Sequence, residues 1–340
     1  MGNNRKMKTI IQCSILCALL AASIVISVSI GSADLSAWDS LKIILGFSDS
    51  GEVYNTIIWK VRLPRVILSG LVGAGLALSG ATFQSLFQNP LADPHILGVS
   101  SGAALGATIA MVFGVTSVQF MGIGLIGLSA FAGAAITTLL VYGIARTGSR
   151  VSTTHIVLAG TAISSMLSAV ISIIMIFNQD QVNKIYFWTL GSFSGTSWVK
   201  VAFMGAFVVL CGTGLLMHSR DLDALSTGEE TAASLGVDTI RTKKLLIIMV
   251  SLLVAACVSV SGIIGFAGLI IPHILRMLTG SSHRKLLPFS ALGGAIFMII
   301  CDAGARTAAS PAELPVGAVT ALFGGPYFIF LLYRNKKKVY

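Results

Sequence analysis

RLPRVILSGLVGAGLALSGATFQSLFQNPLADPHILGVSSGAALGA, residues Arg62 to Ala107, reads as two membrane-crossing helices joined by a polar corner that carries Pro90 and Pro94. Lipid supplies no hydrophobic force between helices, so close association needs Gly, Ala and Ser, which let backbones touch. Gly70, Gly73, Gly75, Ser79, Gly80 and Ala81 offer that surface on the first helix, and Gly98, Ser100, Ser101, Gly102 and Gly106 on the second. The corner cannot be helical at its prolines. Irregular backbone at membrane depth is tolerated where it is buried in protein or lines a cavity, so a tightly packed bundle around a pore is the expectation.

The rest of the chain agrees with that reading. Of its 340 residues, 55% are hydrophobic and 11% charged, and the mean hydropathy is +0.88, values that exclude a soluble domain. A crossing needs about 20 apolar residues. Nine segments qualify: Ile10 to Ile30, Val61 to Phe87, Ile96 to Phe113, Met121 to Ile144, Thr154 to Phe177, Val199 to Met217, Leu245 to Ile264, Leu287 to Cys301 and Leu314 to Leu332. A tenth, Phe266 to Met277, is short.

Charge distribution decides whether that tenth segment counts. The net charge of +10 could point to nucleic acid, but with the N-terminus inside, 16 of the 23 Lys and Arg fall on inner segments and seven (Lys42, Lys60, Arg62, Arg65, Lys184, Lys200, Arg306) on outer ones. The positive-inside rule then puts both termini in the cytoplasm and requires an even number of crossings, which ten satisfies. Arg5, Lys6 and Lys8 before the first apolar run resemble a signal peptide, but a run of about 20 residues is long for a cleaved one and reads as a retained span. Cys13, Cys17, Cys211, Cys257 and Cys301 form no CxxC pair and read as small hydrophobes.

Two connections carry structure. On the outside, Gly31 to Lys60 reads as a loop with a short helix, and Asn178 to Trp198 as a surface helix and turn whose Phe187, Trp188, Phe193 and Trp198 suit the interfacial belt. On the inside, Ser219 to Lys244 predicts a two-turn helix capped by Ser226 or Thr227, with Glu229 and Glu230 in its first turn and Gly236 ending it. Ala232, Ala233, Leu235 and Val237 give it an apolar face with nothing in the loop to cover it. That face predicts a docking surface for another protein.

Several chemistries are missing. There is no GxxxxGK[ST] phosphate loop and no GK dipeptide, so the chain does not bind ATP in the P-loop manner. HExxH, GxSxG and paired catalytic carboxylates are likewise absent, which argues against an enzyme, a resident metal or a cofactor. Ion-coupled carriers place acids and histidines inside their spans, and these spans hold few. Asp302 and Arg306, four apart, are expected to pair on one helical face, and His273 reads as a packing histidine near Arg276.

Taken in order, RLPR at Arg62 to Arg65, LSGATFQSLFQNPLADPHILGVSSGAALG at Leu78 to Gly106, GEETAASLGV at Gly228 to Val237, GFAGLIIPHILR at Gly265 to Arg276 and AELPVGAVTALFGGPYFIFLL at Ala312 to Leu332 resemble the permease subunits of bacterial importers for iron chelates, haem and cobalamin. The likeness covers nearly the whole chain after the first span. It implies an all-α, type II ABC importer permease with residues 1–340 as a single transmembrane domain in the cytoplasmic membrane. It further implies a second permease subunit, by default another copy, two cytoplasmic ATPase subunits that bind the ATP, and an extracytoplasmic solute-binding protein.

The resemblance also assigns residues. Gly228, Glu229, Glu230, Ala232, Ala233, Leu235 and Gly236 match the coupling helix, about 226–237 in the loop 218–244, that sits in a cleft of the ATPase. Arg62, Arg65 and Arg306 match outer arginines that pair with acids of the binding protein. Asn89, Pro90, Leu91, Ser152 and Thr153, with Thr154, match the cytoplasmic gate. An iron siderophore is the expected cargo, with cobalamin or haem as alternatives, and a stand-alone secondary transporter is the competing class.

Overall fold

The computed structural model describes residues 2–31, 36–47, 52–114, 119–120, 123–147, 150–151 and 153–336. Its elements in chain order are α1 (Gly2–Ser29), α2 (Ala37–Ile44), α3 (Glu52–Thr56), α4 (Leu63–Leu86), α5 (Val99–Val112), α6 (Leu125–Ala145), α7 (Thr153–Phe177) and α8 (Val182–Thr189). Then come α9 (Trp198–Met217), α10 (Ser219–Leu225), α11 (Glu229–Ser234), α12 (Thr239–Ser261), α13 (Ala267–Thr279), α14 (His283–Thr307) and α15 (Val316–Lys336). Two antiparallel pairs of two-residue strands, Gln119–Phe120 with Ile123–Gly124 and Arg146–Thr147 with Arg150–Val151, flank α6. The fold is otherwise all-α.

Among the described residues, seven helices are long and apolar enough to cross a membrane, and three shorter ones, Val99–Val112, Ala267–Thr279 and Val316–Leu331, coincide with the remaining expected spans. The second crossing begins earlier than expected. A π-helical turn, Ile57–Arg62, joins α3 to α4 into one rod, Glu52–Leu86, of 35 residues. At 1.5 Å per residue it is about 52 Å long and overshoots the hydrocarbon.

α4 is the axis of the fold, 89% buried, where α1 is 6% and α7 11% buried. Its glycines explain this. A Cβ at Gly73 would strike the carbonyl of Gly294 on α14, and one at Gly80 the carbonyl of Gly268 on α13. Gly102 on α5 and Gly133 on α6 stand in the same mutual relation. These contacts exchange side chains for backbone proximity, the mode of packing that lipid-embedded helices rely on.

The corner after α4 climbs back into the bundle. Pro94–Leu97 form a 3-10 turn whose Pro94 and Leu97 are buried, and Gly98 (φ 70°) reverses the chain into α5. Pro94 lies against Gly268, which in turn lies against the carbonyl of Leu76 in the middle of α4, so the turn sits at mid-depth. His95 closes it: Nε2 is 3.1 Å from the Ile264 carbonyl and Nδ1 2.5 Å from Ser100 Oγ. Irregular backbone at this depth is buried in protein, as expected.

On the face expected to lie outside, α8 and the turn after it stand where a surface helix and turn were expected, with one correction. Phe193 is 1% exposed and belongs to the core, not to an interfacial belt, whereas Phe187 is 58% exposed. Gly191 (φ 74°) turns the chain inward there, and Ser192 N–H donates to the Ser261 carbonyl at 2.8 Å. Trp198 joins Trp59 by an Nε1–H bond to its carbonyl at 2.8 Å. Cys211, Cys257 and Cys301 are buried and Cys13 and Cys17 exposed; all five are free thiols.

Candidate functional site

Three groups of residues singled out in the sequence occupy three separate places. The first is the knob on the expected inner side. α10 and α11 fold back on each other beyond the end of α9, and α11 has six residues, slightly under the two turns expected. Its cap also differs. Gly228 (φ 129°) is the N-cap, while Ser226 Oγ donates to the Asp223 carbonyl and Thr227 Oγ1 to the Ala224 carbonyl, both at 2.7 Å, so these hydroxyls end α10 instead of starting α11. The far end follows the expectation for Gly236 (φ 86°). Its N–H donates to Ala233 and the N–H of Val237 to Ala232, a Schellman arrangement that folds Val237 over Ala232.

That fold divides the apolar face. Ala232 is fully buried and Val237 packs against the core, so neither is available to a partner. Ala233 and Leu235 remain outside, and Leu235 is 69% exposed. Glu229 reaches Lys243 at the base of α12 in an ion pair, while Glu230 is exposed. The result is a knob fixed to the bundle on one side and presenting Ala233, Leu235 and Glu230 on the other.

The second group is the corner. Asn89 Oδ1 accepts the Leu91 N–H at 2.9 Å, an Asx turn that Pro90 extends. Asn89 and Pro90 are exposed and Leu91 half-buried. Gln88 Nε2 donates to the Leu225 carbonyl at 3.2 Å, which ties this turn to α10. Ser152 lies outside the described residues, and Thr153 is the first residue of α7.

The third group is the arginine cluster on the expected outer side. Arg65 forks onto Asp302, with Nη2 to Oδ1 at 2.9 Å, and reaches Glu313 with Nη1 to Oε1 at 2.9 Å. Arg306 Nε pairs with Asp302 Oδ2 at 3.2 Å, the expected i,i+4 link. Arg306 does not face open water, however. Its Nη1 donates to the Ile30 carbonyl and Nη2 to the Ser27 carbonyl, both at 2.9 Å. Arg62 Nη1 donates to the carbonyls of Val28 and Ser29 at 2.9 and 3.0 Å. Two arginines thus satisfy the orphan carbonyls at the end of α1, where a helix needs donors and favours positive charge.

Sequence reasoning missed a fourth feature. α7 exposes Thr161, Ser165, Ser168 and Ser172, spaced i, i+4, i+7 and i+11, along one face. Beside it, a cavity of about 300 Å³ is lined by Ser100, Ser101, Ser168, Ser172, Tyr186 and Thr189 together with apolar side chains, without a carboxylate or a cation. The helical spacing of those hydroxyls was the available signal. His273, by contrast, packs edge-on against Tyr327 at 6.4 Å, as a packing histidine should.

Comparison with known proteins agrees with this architecture. Residues 19–334 match the FecCD transport family. The cobalamin import system permease of Halobacterium salinarum is 43% identical over 281 residues, 83% of this chain and 74% of that protein. The hemin transport system permease of Yersinia pestis is 37% identical over 321 residues, 93% and 94% of the two chains. A solved structure described as an inward-facing conformation of a metal-chelate type ABC transporter superposes with a TM-score of 0.82 at 37% identity, covering 94% of this chain and 97% of that one. With ten apolar helices among the described residues, α4 the most buried of them, no ATP-binding motif and that match across the chain, this multi-pass membrane protein belongs to the FecCD transport family and is a permease subunit of an ABC importer, not an enzyme.

Proposed function

We propose that the chain forms half of a conduit for a bulky metal chelate, an iron siderophore in our first reading, across a bacterial cytoplasmic membrane, with both termini inside. The observation that carries this reading is the knob: an exposed Leu235 on a six-residue helix clamped to the bundle, in a chain that has no nucleotide site of its own. Gly228, Glu229, Glu230, Ala232, Ala233, Leu235 and Gly236 would then couple the spans to an ATPase. Two ATPases serve two permease copies, since most residues of α7 are exposed within one chain and its hydroxyl face suits a second copy across a wet path.

Asn89, Pro90 and Leu91, together with Ser152 and Thr153, form the inner gate of this reading. A gate and a cavity wall without fixed charge pass a large chelate without retaining it. Affinity then belongs to an extracytoplasmic binding protein, which docks at Arg62, Arg65 and Arg306. Arg65 is the most available of the three, since its partner Glu313 is 43% exposed and a carboxylate of the binding protein can compete for it. The similarity to permeases named for cobalamin and hemin favours a corrinoid or haem as the second reading of the cargo.

The test is uptake by proteoliposomes carrying this chain with its ATPase and binding protein, supplied in turn with a ferric siderophore, cyanocobalamin and hemin. ATP-dependent accumulation of the ferric siderophore is the expected result. Accumulation of cyanocobalamin or hemin alone would replace the siderophore, and accumulation without the ATPase would overturn the reading.

A further inference from the structure

A row of four polar side chains from four helices runs through the inner end of the bundle. Arg276 on α13 donates from Nη2 to Ser85 Oγ on α4 at 3.2 Å. Ser85 Oγ is 2.5 Å from His283 Nε2 at the start of α14, and His283 Nδ1 is 2.5 Å from Asp223 Oδ1 on α10. A carboxylate only accepts, so Nδ1 carries the proton toward Asp223; in the neutral ring Nε2 then accepts from Ser85, whose Oγ also lies 3.2 Å from the Ala81 carbonyl. Every bond then points the same way, from the guanidinium through the hydroxyl and the ring to the carboxylate. His283 is fully buried and Ser85 1% exposed, so no substrate reaches this Ser, His and Asp, and the arrangement is not a hydrolytic triad.

Asp223 has a second task. α14 begins at His283 with no side-chain cap of its own on Ser282. The missing acceptor comes from α10 instead: Asp223 Oδ1 takes the His283 backbone N–H at 2.7 Å, and Ser282 Oγ donates to Oδ2 at 3.3 Å. A carboxylate at that position also complements the helix dipole. The inner end of α14 is therefore held by a residue of the knob. From there α14 runs 25 residues, about 37 Å, past the Gly73–Gly294 contact with α4, to Asp302 and Arg306 at the outer cluster.

We propose that Asp223 and His283 are positioning residues through which movement of the α10–α11 knob reaches α14, α4 and α13, with α14 serving as the strut to the outer face. The proposal rests on the reading of the knob as the ATPase dock. Two observations favour transmission over mere adhesion. α11 itself is clamped to α12, through Glu229 and Lys243, whereas α10 meets α4 and α14. A buried polar network also holds helices no better than apolar residues of the same volume, but it fixes their relative position because each donor has one acceptor to find.

The experiment uses the full complex in nanodiscs, with Cys13→Ser and Cys17→Ser and an environment-sensitive fluorophore at Ala308→Cys, the exposed residue that ends α14. ATP hydrolysis, co-purification of the ATPase and the ATP-induced change in emission are read in D223A, H283A and His283→Asn, whose amide keeps a donor where Nδ1 stood. D223A and H283A should co-purify and hydrolyse ATP within about twofold of the unmutated complex while the emission change falls about tenfold, and His283→Asn should restore more than about half of it. An unchanged emission response in D223A and H283A would overturn the proposal. So would joint loss of assembly and hydrolysis that His283→Asn does not rescue, since that is what a purely structural role predicts. An unmutated complex that never responds to ATP, or a Leu235→Asp variant that still retains its ATPase and its response, would count against the docking reading instead.

Discussion

Asp302 shows how much one side chain can hold. It is fully buried, yet two guanidinium groups, those of Arg65 and Arg306, converge on its two oxygens. Through Arg306 it also fixes the carbonyls that end α1, a helix that buries almost nothing else. Removing one partner of a buried ion pair leaves the others uncompensated and costs about 3–5 kcal/mol. Asp302→Asn should therefore lower the thermal unfolding midpoint of the detergent-solubilised chain clearly, and a midpoint within error of the parent would show that the arginines are neutralised elsewhere. The i,i+4 link to Arg306 was legible in the sequence because it is local. The forks from Arg65 to Asp302 and Glu313 were not, because residues 237 and 248 positions apart meet only through the packing of α4 on α14.

At the scale of elements, small residues decide which helices meet. A Cβ at Gly80 would overlap the carbonyl of Gly268, a backbone atom that cannot rotate aside. Gly80→Val forces α4 and α13 apart and should cost about 1–3 kcal/mol or more from overpacking; size-exclusion profile and unfolding midpoint are the measurements, and a native profile with an unchanged midpoint would refute the contact. α11 makes the complementary case, since its exposed Leu235 contributes little to the bundle. Leu235→Asp should leave the isolated chain's unfolding midpoint within about 0.5 kcal/mol equivalent while abolishing co-purification with the ATPase. Retained co-purification would move the dock elsewhere. Apolar length pointed to nine of the helical segments and the charge distribution to the tenth, where seven helices are long enough to cross and three are shorter, and the proline corner announced the mid-depth turn. Depth and facing were harder. Phe193 reads as an interfacial ring until Gly191 turns it into the core, and Ala232 reads as exposed until the Schellman turn at Gly236 folds Val237 across it. Ser226 and Thr227 satisfy the rule for a helix start equally well as a helix end, and only the observed bonds back to Asp223 and Ala224 decide between the two.

For the molecule as a whole, the question is where the energy for transport enters. An ion-coupled carrier needs a carboxylate or histidine that can gain and lose its ion as the path alternates. Asp302 is the buried acid of these spans among the described residues, and two arginines hold it in place. His283 is locked between Ser85 and Asp223, and His95 between Ser100 and the Ile264 carbonyl. None of these groups faces the hydroxyl-lined cavity beside α7. Groups held in this way do not follow a proton or sodium ion, and an ion that the two conformations of the path bind equally shifts no equilibrium between them. On the proposed reading of the knob, nucleotide binding to a partner there supplies the bias instead. Purified alone into liposomes, the chain should accumulate no ferric siderophore, cyanocobalamin or hemin above the equilibrium level under an imposed proton or sodium gradient, whereas adding the ATPase, the binding protein and ATP should allow accumulation. Gradient-driven accumulation by the chain alone would mean that one of these locked groups titrates after all, and Asp302→Asn would identify it by abolishing that uptake.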